Sequence, residues 1–299
     1  MIFPRGGYRP HQTYFAAVRP RSELWRTMLG SVIVIIGYVG LLVLFVVYLR
    51  SHYGGLIAAG LYASMARGAT PGAMILLLLS FLALAAAVLA VTRGLHGRRA
   101  GTLFGPKHCA ARDFFRVASA LVAFNLVLLV FAFLTDEVPR HLDMQTFMLL
   151  LPVALIAILV QTGSEELVFR GYLQQQLAAR FSTPWVWMVL PQGMFALVHY
   201  APEVYGPNAM AIVLWAGLFG FFAADLTARS GTLGASMGFH FANNLAAFLF
   251  VGIDGNMNGL ALWSIPVDLT NPQAVWPMLA VDFLSMTVAW LLARVVLRV

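Results

Sequence analysis

The amino-acid sequence predicts an all-α, polytopic membrane protein with about eight transmembrane helices and a polar site inside the membrane. Of its 299 residues, 61% are hydrophobic and only 10% are charged, whereas an ordinary soluble domain carries about 25% charged residues. Apolar segments of roughly 20 residues, the length that spans a bilayer, recur along the whole chain. Together these two observations exclude a soluble globular fold.

The apolar segments define the predicted helices. The first segment is too long for the hydrophobic region of a signal peptide, so we interpret it as an uncleaved first span. The expected spans are residues 28–49, 72–92, 117–134, 146–164, 184–200, 208–228, 233–250 and 275–296.

The distribution of basic residues supports this count and predicts an orientation. With a cytoplasmic N-terminus, 16 of the 19 Lys and Arg residues fall on the cytoplasmic side, and only Arg50, Arg67 and Arg140 fall outside. Such an excess in cytoplasmic loops is the usual pattern in membrane proteins. We therefore expect both termini in the cytoplasm. The net charge of +7 then follows from topology, and nucleic acid is not an expected partner.

The composition also suggests where the protein is found. Lys107 is the one lysine beside 18 arginines, a preference that is typical of a GC-rich, bacterial genome. We expect a multi-pass protein of a bacterial inner membrane.

Polar side chains occur where hydrocarbon is expected. An acidic residue at the centre of a membrane helix costs about 2.5–3.5 kcal/mol on insertion scales, so its presence suggests a functional site. The sequence places such residues on three predicted helices, with few other buried ionisable groups except Asp225, which we interpret as interfacial, and Asp282, which has no assigned role. They are Glu165, Glu166, Arg170, His199, His240, Asn243 and Asn244.

Helix geometry separates the two adjacent glutamates. Glu166 and Arg170 are four residues apart, so they share a face and are expected to form a structural ion pair. Glu165 points about 100° away and is expected to face a cavity. A carboxylate without a cationic partner suits proton transfer.

Counting from the predicted turns brings the polar groups to similar depths. Residues 182–184 form a turn, and Glu165 and His199 lie about equally far from it on antiparallel helices. His240 and Asn244 share a face of a later helix. This arrangement requires the helix of Glu165 to run on toward Arg180, and therefore to tilt, to break near Gly163 or to begin as a re-entrant segment.

Each polar group also has a structural interpretation. A single buried histidine usually packs and forms hydrogen bonds, and a Glu–Arg pair is more often an ion pair than a catalyst. Asn243 is expected to form a hydrogen bond within the helix packing. The four-residue ladder Gly234, Gly238 and Ala242 predicts a close helix contact. The joint occurrence of the carboxylates, histidines and amides is what favours a function.

Three motifs in this order resemble a known family. They are Glu165-Glu-Leu-Val-Phe-Arg170 (EExxxR), Phe195-Ala-Leu-Val-His199 (FxxxH) and His240-Phe-Ala-Asn-Asn244 (HxxxN). Their order and spacing resemble those of the CPBP family of intramembrane proteases, the CAAX prenyl proteases and bacteriocin-processing enzymes that are also called the Abi family. The resemblance covers about residues 145–250.

The resemblance implies roles for the motif residues. Glu165 would act as the general base that activates water, with help from His199. His240 and Asn244 would polarise the scissile carbonyl and stabilise its oxyanion. Glu166, Arg170 and Phe195 would be supporting residues.

The resemblance leaves the need for a metal open. No cofactor is favoured, because no HExxH sequence is present. A zinc ion remains an alternative, since one glutamate and two histidines form a known zinc-binding set; its ligands would be Glu165, His199 and His240.

The sequence thus predicts four segments and one function. The segments are a basic cytoplasmic N-terminal arm (1–27), three additional transmembrane helices (28–144), a CPBP-like catalytic core (145–250), and an extracytoplasmic loop with the last transmembrane helix (251–299). We expect an intramembrane endopeptidase whose partners are membrane lipid and a membrane-associated or lipidated protein or peptide substrate. The alternatives are a metal-dependent form of this protease, a proton-coupled transporter, and a non-catalytic immunity or scaffold protein.

Overall fold

The computed structural model describes residues 7–135 and 138–299 and is 81% helical, which confirms the predicted all-α class. Arg5 of the predicted N-terminal arm, with residues 1–6, lies outside the described residues. The α-helices of the described chain are α1 (Arg9–Tyr14), α2 (Leu24–Tyr53), α3 (Gly55–Arg67), α4 (Pro71–Ser80), α5 (Leu82–Gly94), α6 (Lys107–Thr135), α7 (Met144–Glu166), α8 (Gln175–Arg180), α9 (Leu190–Leu197), α10 (Pro202–Tyr205), α11 (Ala209–Ser230), α12 (Leu233–Leu245) and α13 (Pro272–Leu297).

Shorter elements connect these helices. The 3₁₀-helical turns are Ala16–Arg21, Ala100–Leu103 and Gly206–Asn208, and the π-helical segments are Leu167–Gln174, Trp185–Val189 and Ala246–Phe250. Two short strands, β1 (Val251–Ile253) and β2 (Trp263–Ile265), pair in parallel. The connection between α6 and α7 adds to this small sheet, because the His141 amide donates to the Leu262 carbonyl and the Ser264 amide donates to the Pro139 carbonyl.

Six helical segments in the described chain are long and apolar enough to cross a membrane. The helices at the two other predicted positions are shorter or less apolar. Trp185–Leu197 has 13 residues, about 20 Å of helix against a hydrocarbon core of about 30 Å. The helix that includes α12 carries the polar residues of the third motif. The predicted number of about eight is therefore approximate, although a helix occupies each predicted position. The six are Leu24–Tyr53, Pro71–Gly94, Lys107–Leu134, Met144–Arg180, Pro202–Ser230 and Pro272–Leu297.

The helix that carries the first motif is continuous. α7, the π-helical segment and α8 join into one run of 37 residues, Met144–Arg180, without a break at Gly163. At 1.5 Å per residue this run is about 55 Å long, more than the hydrocarbon core requires. Of the three options that the sequence left open, a break near Gly163 is excluded, because the helix continues through that residue.

The predicted glycine ladder marks the contact between α12 and α6. A methyl group on Gly234 would lie 1.8 Å from the carbonyl oxygen of Ala110, and one on Gly238 would lie 2.7 Å from that of Phe114. Ala242, the third member, is fully buried, and Asn125 of α6 donates to its carbonyl oxygen at 3.1 Å. Because these residues have small side chains, α12 can approach the backbone of α6, and this approach positions the third motif.

The described part of the N-terminal arm, residues 7–27, contains α1 and the turn Ala16–Arg21 and is docked against the bundle. The Tyr8 hydroxyl donates to Asp225 at 2.7 Å, and the Tyr14 hydroxyl donates to the Leu103 carbonyl at 2.6 Å. Asp225 is buried, and it also accepts from Arg229 and from Trp290 of α13, at 2.8 and 3.0 Å. The arm and the C-terminal helix therefore meet at the same end of the bundle. Asp225, which the sequence suggested to be interfacial, forms a buried link between these segments.

His11 lies at the centre of the docked arm. Its ring is 4.4 Å from that of Trp187, and the Gln174 amide donates to its Nε2 at 3.3 Å. Only an unprotonated nitrogen can accept that bond. Burial lowers the pKa of His11 from 6.5 to about 3.

We predict that the arm undocks as the pH falls below 6.5. The folded state keeps His11 neutral while the undocked arm binds a proton, so docking loses about 1.4 kcal/mol per pH unit between 6.5 and 3. Hydrogen exchange of residues 9–21, corrected for the intrinsic pH dependence of exchange, should rise between pH 7 and pH 5. A His11→Phe variant, which cannot titrate there, should show no such rise. Equal pH dependence in both proteins would contradict the prediction.

Candidate active site

The predicted ion pair between Glu166 and Arg170 is present and wholly buried. Nη1 of Arg170 lies 2.7 Å from Oε1 of Glu166, and neither side chain is exposed. Nη2 of Arg170 donates to the Gly220 carbonyl of α11 at 3.3 Å, and the guanidinium lies 4.7 Å from the centre of the Phe195 ring. The pair therefore joins the motif helix to α9 and α11.

His240 connects the two glutamates. Its Nδ1 lies 2.9 Å from Oε1 of Glu166, and its Nε2 lies 3.6 Å from Oε2 of Glu165. An ionised carboxylate only accepts hydrogen bonds. Nδ1 of His240 therefore carries the hydrogen and donates the hydrogen bond to Glu166. This bond holds the ring so that Nε2 faces Glu165, in the way that carboxylates orient histidines in many active sites.

Glu165 is the accessible carboxylate of the pair. Its side chain is 14% exposed, whereas that of Glu166 is completely buried. Within the described residues, His240 is the one cationic or potentially cationic group at ion-pair distance from Glu165. The helical rotation that separates neighbouring residues thus divides them as predicted, into a paired and an accessible carboxylate.

His199 lies in the turn after α9 and not on a helix, which corrects the predicted span of 184–200. Its backbone amide donates to the Ala196 carbonyl, and its Nδ1 donates to the Phe195 carbonyl at 2.8 Å. Because a carbonyl oxygen only accepts, Nε2 is the nitrogen left for other partners.

Phe195 lies between His199 and the rest of the site. Its ring centre is 4.7 Å from that of His199 and 6.2 Å from that of His240. Among the described side chains no hydrogen bond or ion pair joins His199 to Glu165 or His240. The structure therefore brings His240 directly to the glutamates and places His199 at the edge of the group.

Asn244 lies one turn beyond His240 and contacts a residue that the sequence analysis missed. Its Nδ2 donates to Oε1 of Gln161 at 2.8 Å, and its Oδ1 accepts from Nδ2 of Asn243 at 3.2 Å. Gln161 precedes Glu165 by four residues on α7. That spacing, with a polar residue at the end of a long apolar run, was the signal that could have identified Gln161.

An apolar cavity of about 430 Å³ lies between α6, α7 and α12, on the two helices that carry Glu165 and His240 and on α6. We call it the lateral groove. Lys107 stands at the end of the groove where α6 begins, and Met237 forms its inner wall, close to Gly163 of the motif helix. Its volume lies in the range of ligand-binding pockets. Its lining residues are Phe104, Lys107, Ala110, Ala111, Phe114, Phe115, Leu159, Gly234 and Met237.

The alternative zinc site does not fit this arrangement. Across residues 7–135 and 138–299, no group of three or more His, Cys, Asp or Glu side chains is placed to hold a metal ion. Both histidines bond through Nδ1, His240 to Glu166 and His199 to the Phe195 carbonyl, so each keeps Nε2 for other partners. Of these two nitrogens, Nε2 of His240 lies 3.6 Å from Glu165, whereas His199 makes no ion pair with that glutamate among the described residues. Glu165, His199 and His240 would have to rearrange before they could coordinate one ion.

Comparison with known proteins assigns the segment that contains these motifs. Residues 146–246 match the family model of the type II CAAX prenyl endopeptidase Rce1-like proteins. The chain is 30% identical over 146 residues to the uncharacterized protein YyaK of Bacillus subtilis (strain 168), and the match covers 46% of this chain and 48% of YyaK. The chain thus spans about half the length of this curated relative. No solved structure matches the chain.

The family model begins in α7 and ends just after α12, so it includes all three motifs and the residues that form the site. The resemblance to the CPBP family that these motifs predicted is therefore confirmed over residues 146–246, which match the model of the type II CAAX prenyl endopeptidase Rce1-like family.

Proposed function

We propose that the protein is an intramembrane endopeptidase in which Glu165 activates a water molecule. One observation carries this proposal: Glu165 is an accessible carboxylate 3.6 Å from a histidine nitrogen, and the other nitrogen of that histidine is fixed by a buried glutamate. A match to a protease family over residues 146–246 supports the same reaction class.

Glu165 suits the part of general base because it is not needed for the ion pair. Glu166 is completely buried and its Oε1 is held by Arg170 and His240, so it is not accessible to a water molecule. Glu165 is partly exposed and is able to contact a water molecule. General acid–base catalysis of this kind contributes about 10²–10⁴-fold to a rate.

In the proposed reaction Glu165 carries one proton from the water molecule to the leaving amine. The water oxygen forms a bond to the scissile carbonyl carbon as Glu165 takes a proton from that water. Glu165 then gives the proton to the amide nitrogen as the carbon–nitrogen bond breaks. The products are a carboxylic acid and an amine, and the carboxylate of Glu165 is restored.

His240 and Asn244 are proposed to stabilise the oxyanion that forms on the carbonyl oxygen. When His240 is protonated, its Nε2–H is a donor and the charges of Glu165, Glu166, Arg170 and His240 sum to zero. Asn244 has a second N–H besides the one bonded to Gln161. Removing one such donor from an oxyanion site typically costs about 10²–10³-fold in kcat. His199, whose Nε2 has no hydrogen bond to any described residue, assists at the edge of the site.

The substrate is proposed to be a membrane-associated or lipidated protein or peptide. The lateral groove is apolar and includes Leu159 of the motif helix, and Met237 in its lining lies close to Gly163. An apolar chain or side chain could lie in it while the attached peptide reaches Glu165. The proposed location is a bacterial inner membrane with both termini in the cytoplasm.

We predict that Glu165→Gln lowers kcat by about 10²–10⁴-fold, because the amide cannot take a proton from water. The assay uses purified protein in lipid nanodiscs with two probes, a farnesylated peptide ending in a CAAX sequence and an isolated bacterial membrane fraction whose new N-termini are identified by mass spectrometry.

Asp282→Asn, which removes an exposed acid of α13, is the matched control and should leave kcat unchanged. The wild-type protein should also remain active when a metal chelator is added to the assay. Cleavage by the Glu165→Gln protein at the wild-type rate would refute the proposal.

The buried pair of Glu166 and Arg170 should affect the stability of the protein. We predict that Arg170→Met lowers the free energy of unfolding by about 3–5 kcal/mol, because it leaves the Glu166 charge buried without its cation. The double variant Glu166→Gln/Arg170→Met removes both charges and should recover much of that stability. The stability of both variants is measured by thermal unfolding in the same detergent. Equal stability of the single and double variants would contradict the prediction, because the loss in Arg170→Met would then not come from the unpaired Glu166 charge.

A third prediction concerns the lateral groove. Ala111→Trp fills part of the groove and should raise KM for the farnesylated peptide about 10-fold, since about 1.4 kcal/mol of apolar contact is lost. The unmodified peptide of the same sequence should be affected less, and kcat should not change. Leu126→Trp, on an exposed part of α6 away from the groove, is the control. An equal KM for Ala111→Trp and wild type would place the apolar chain elsewhere.

A further inference from the structure

Two polar pairs connect α7 and α12 in the same register. On α7, Gln161 and Glu165 are four residues apart, and on α12, His240 and Asn244 are four residues apart, so each pair of residues shares one helix face. Nε2 of His240 lies 3.6 Å from Glu165, and Nδ2 of Asn244 lies 2.8 Å from Gln161. The contact between Asn244 and Gln161 thus lies one helical turn from the contact between His240 and Glu165, and it joins the same two helix faces.

The Asn244 carboxamide is held on both of its polar atoms. A carboxamide has two N–H donors and one oxygen acceptor. One N–H is bonded to Oε1 of Gln161, and the oxygen accepts from Nδ2 of Asn243. In this arrangement the second N–H of Asn244 has no hydrogen-bond partner among the described residues.

The residues that hold Asn244 are themselves supported. Gln161 is buried with 7% of its surface exposed. Asn243 borders a polar cavity of about 30 Å³, which Asn125 and Ser285 also line, and such a cavity is large enough for a water molecule. Asn125 in addition bonds the backbone of α12 at Ala242. These contacts limit the movement of the helix turn that carries Asn244.

We propose that Gln161 and Asn243 are positioning residues that aim the remaining N–H of Asn244 at the carbonyl oxygen of the substrate. This inference rests on the proposed function, in which Asn244 is an oxyanion donor. Neither Gln161 nor Asn243 touches the substrate in this account; both act through Asn244. Gln161 belongs to none of the three motifs, so the donor is completed by a residue outside them.

The test measures kcat and KM of Gln161→Leu in nanodiscs with the farnesylated peptide. Loss of the acceptor should lower kcat about 10–100-fold, the usual cost of removing a residue that orients an active-site group, and should leave KM unchanged. Thr162→Val is the matched control, because Thr162 is the buried neighbour whose hydroxyl bonds the Ile158 carbonyl of its own helix. Its kcat should equal that of the wild type.

A double-mutant cycle separates positioning from a general structural effect. If Gln161 acts through Asn244, Gln161→Leu should cause no further loss of kcat in an Asn244→Ala background. If Gln161→Leu does not fold, as judged by thermal unfolding, Asn243→Leu is assayed by the same two criteria.

Two results would overturn the inference. One is wild-type kcat in Gln161→Leu while Glu165→Gln is inactive, which leaves the proposed function intact. The other is an additive loss in the double variant. Cleavage by Glu165→Gln at the wild-type rate would overturn the inference together with the proposed function.

Discussion

The buried carboxylate of Glu166 is the interaction on which the site depends. A charge without exposure to water must be paired and hydrogen-bonded, because desolvation of an unpaired ion costs several kcal/mol. Arg170 and His240 supply those partners at 2.7 and 2.9 Å. Arg170 also bonds the backbone of α11 at Gly220 and lies over Phe195 of α9. One carboxylate therefore ties together four helical segments, and any side chain that contributes to the chemistry is placed relative to it.

The same interaction explains why two adjacent glutamates differ. Consecutive residues on a helix point about 100° apart, so only one of them can face Arg170. Glu166 takes the buried position, and Glu165 remains partly exposed beside Nε2 of His240. The bond from Nδ1 of His240 to Glu166 then determines which nitrogen faces Glu165. A structural ion pair and an orienting hydrogen bond thus use the same oxygen atom, Oε1 of Glu166.

Much of this site follows from local spacing. The Glu166–Arg170 pair, the shared face of His240 and Asn244, and the small residues Gly234 and Gly238 at the helix contact all depend on the period of one helix, which the sequence displays directly. Other features depend on neighbours that lie far along the chain. The docking of His11 against Trp187 joins segments more than 170 residues apart, and no periodicity predicts it. The position of His199 in a turn depends on where α9 ends, which apolar composition alone does not specify.

By itself the sequence determined the membrane class, the approximate positions of the helices, and the three motifs with their internal faces, because hydropathy and helical period are properties of short segments. Only the tertiary structure decided which glutamate His240 bonds, that Gln161 meets Asn244, and that Asp225 is buried between the arm and α13. These outcomes depend on the rotation and depth of one helix against another. Rotation and depth are set by the packing of whole helix surfaces, such as the approach of α12 to α6 at Gly234, and not by the residues that form the bonds.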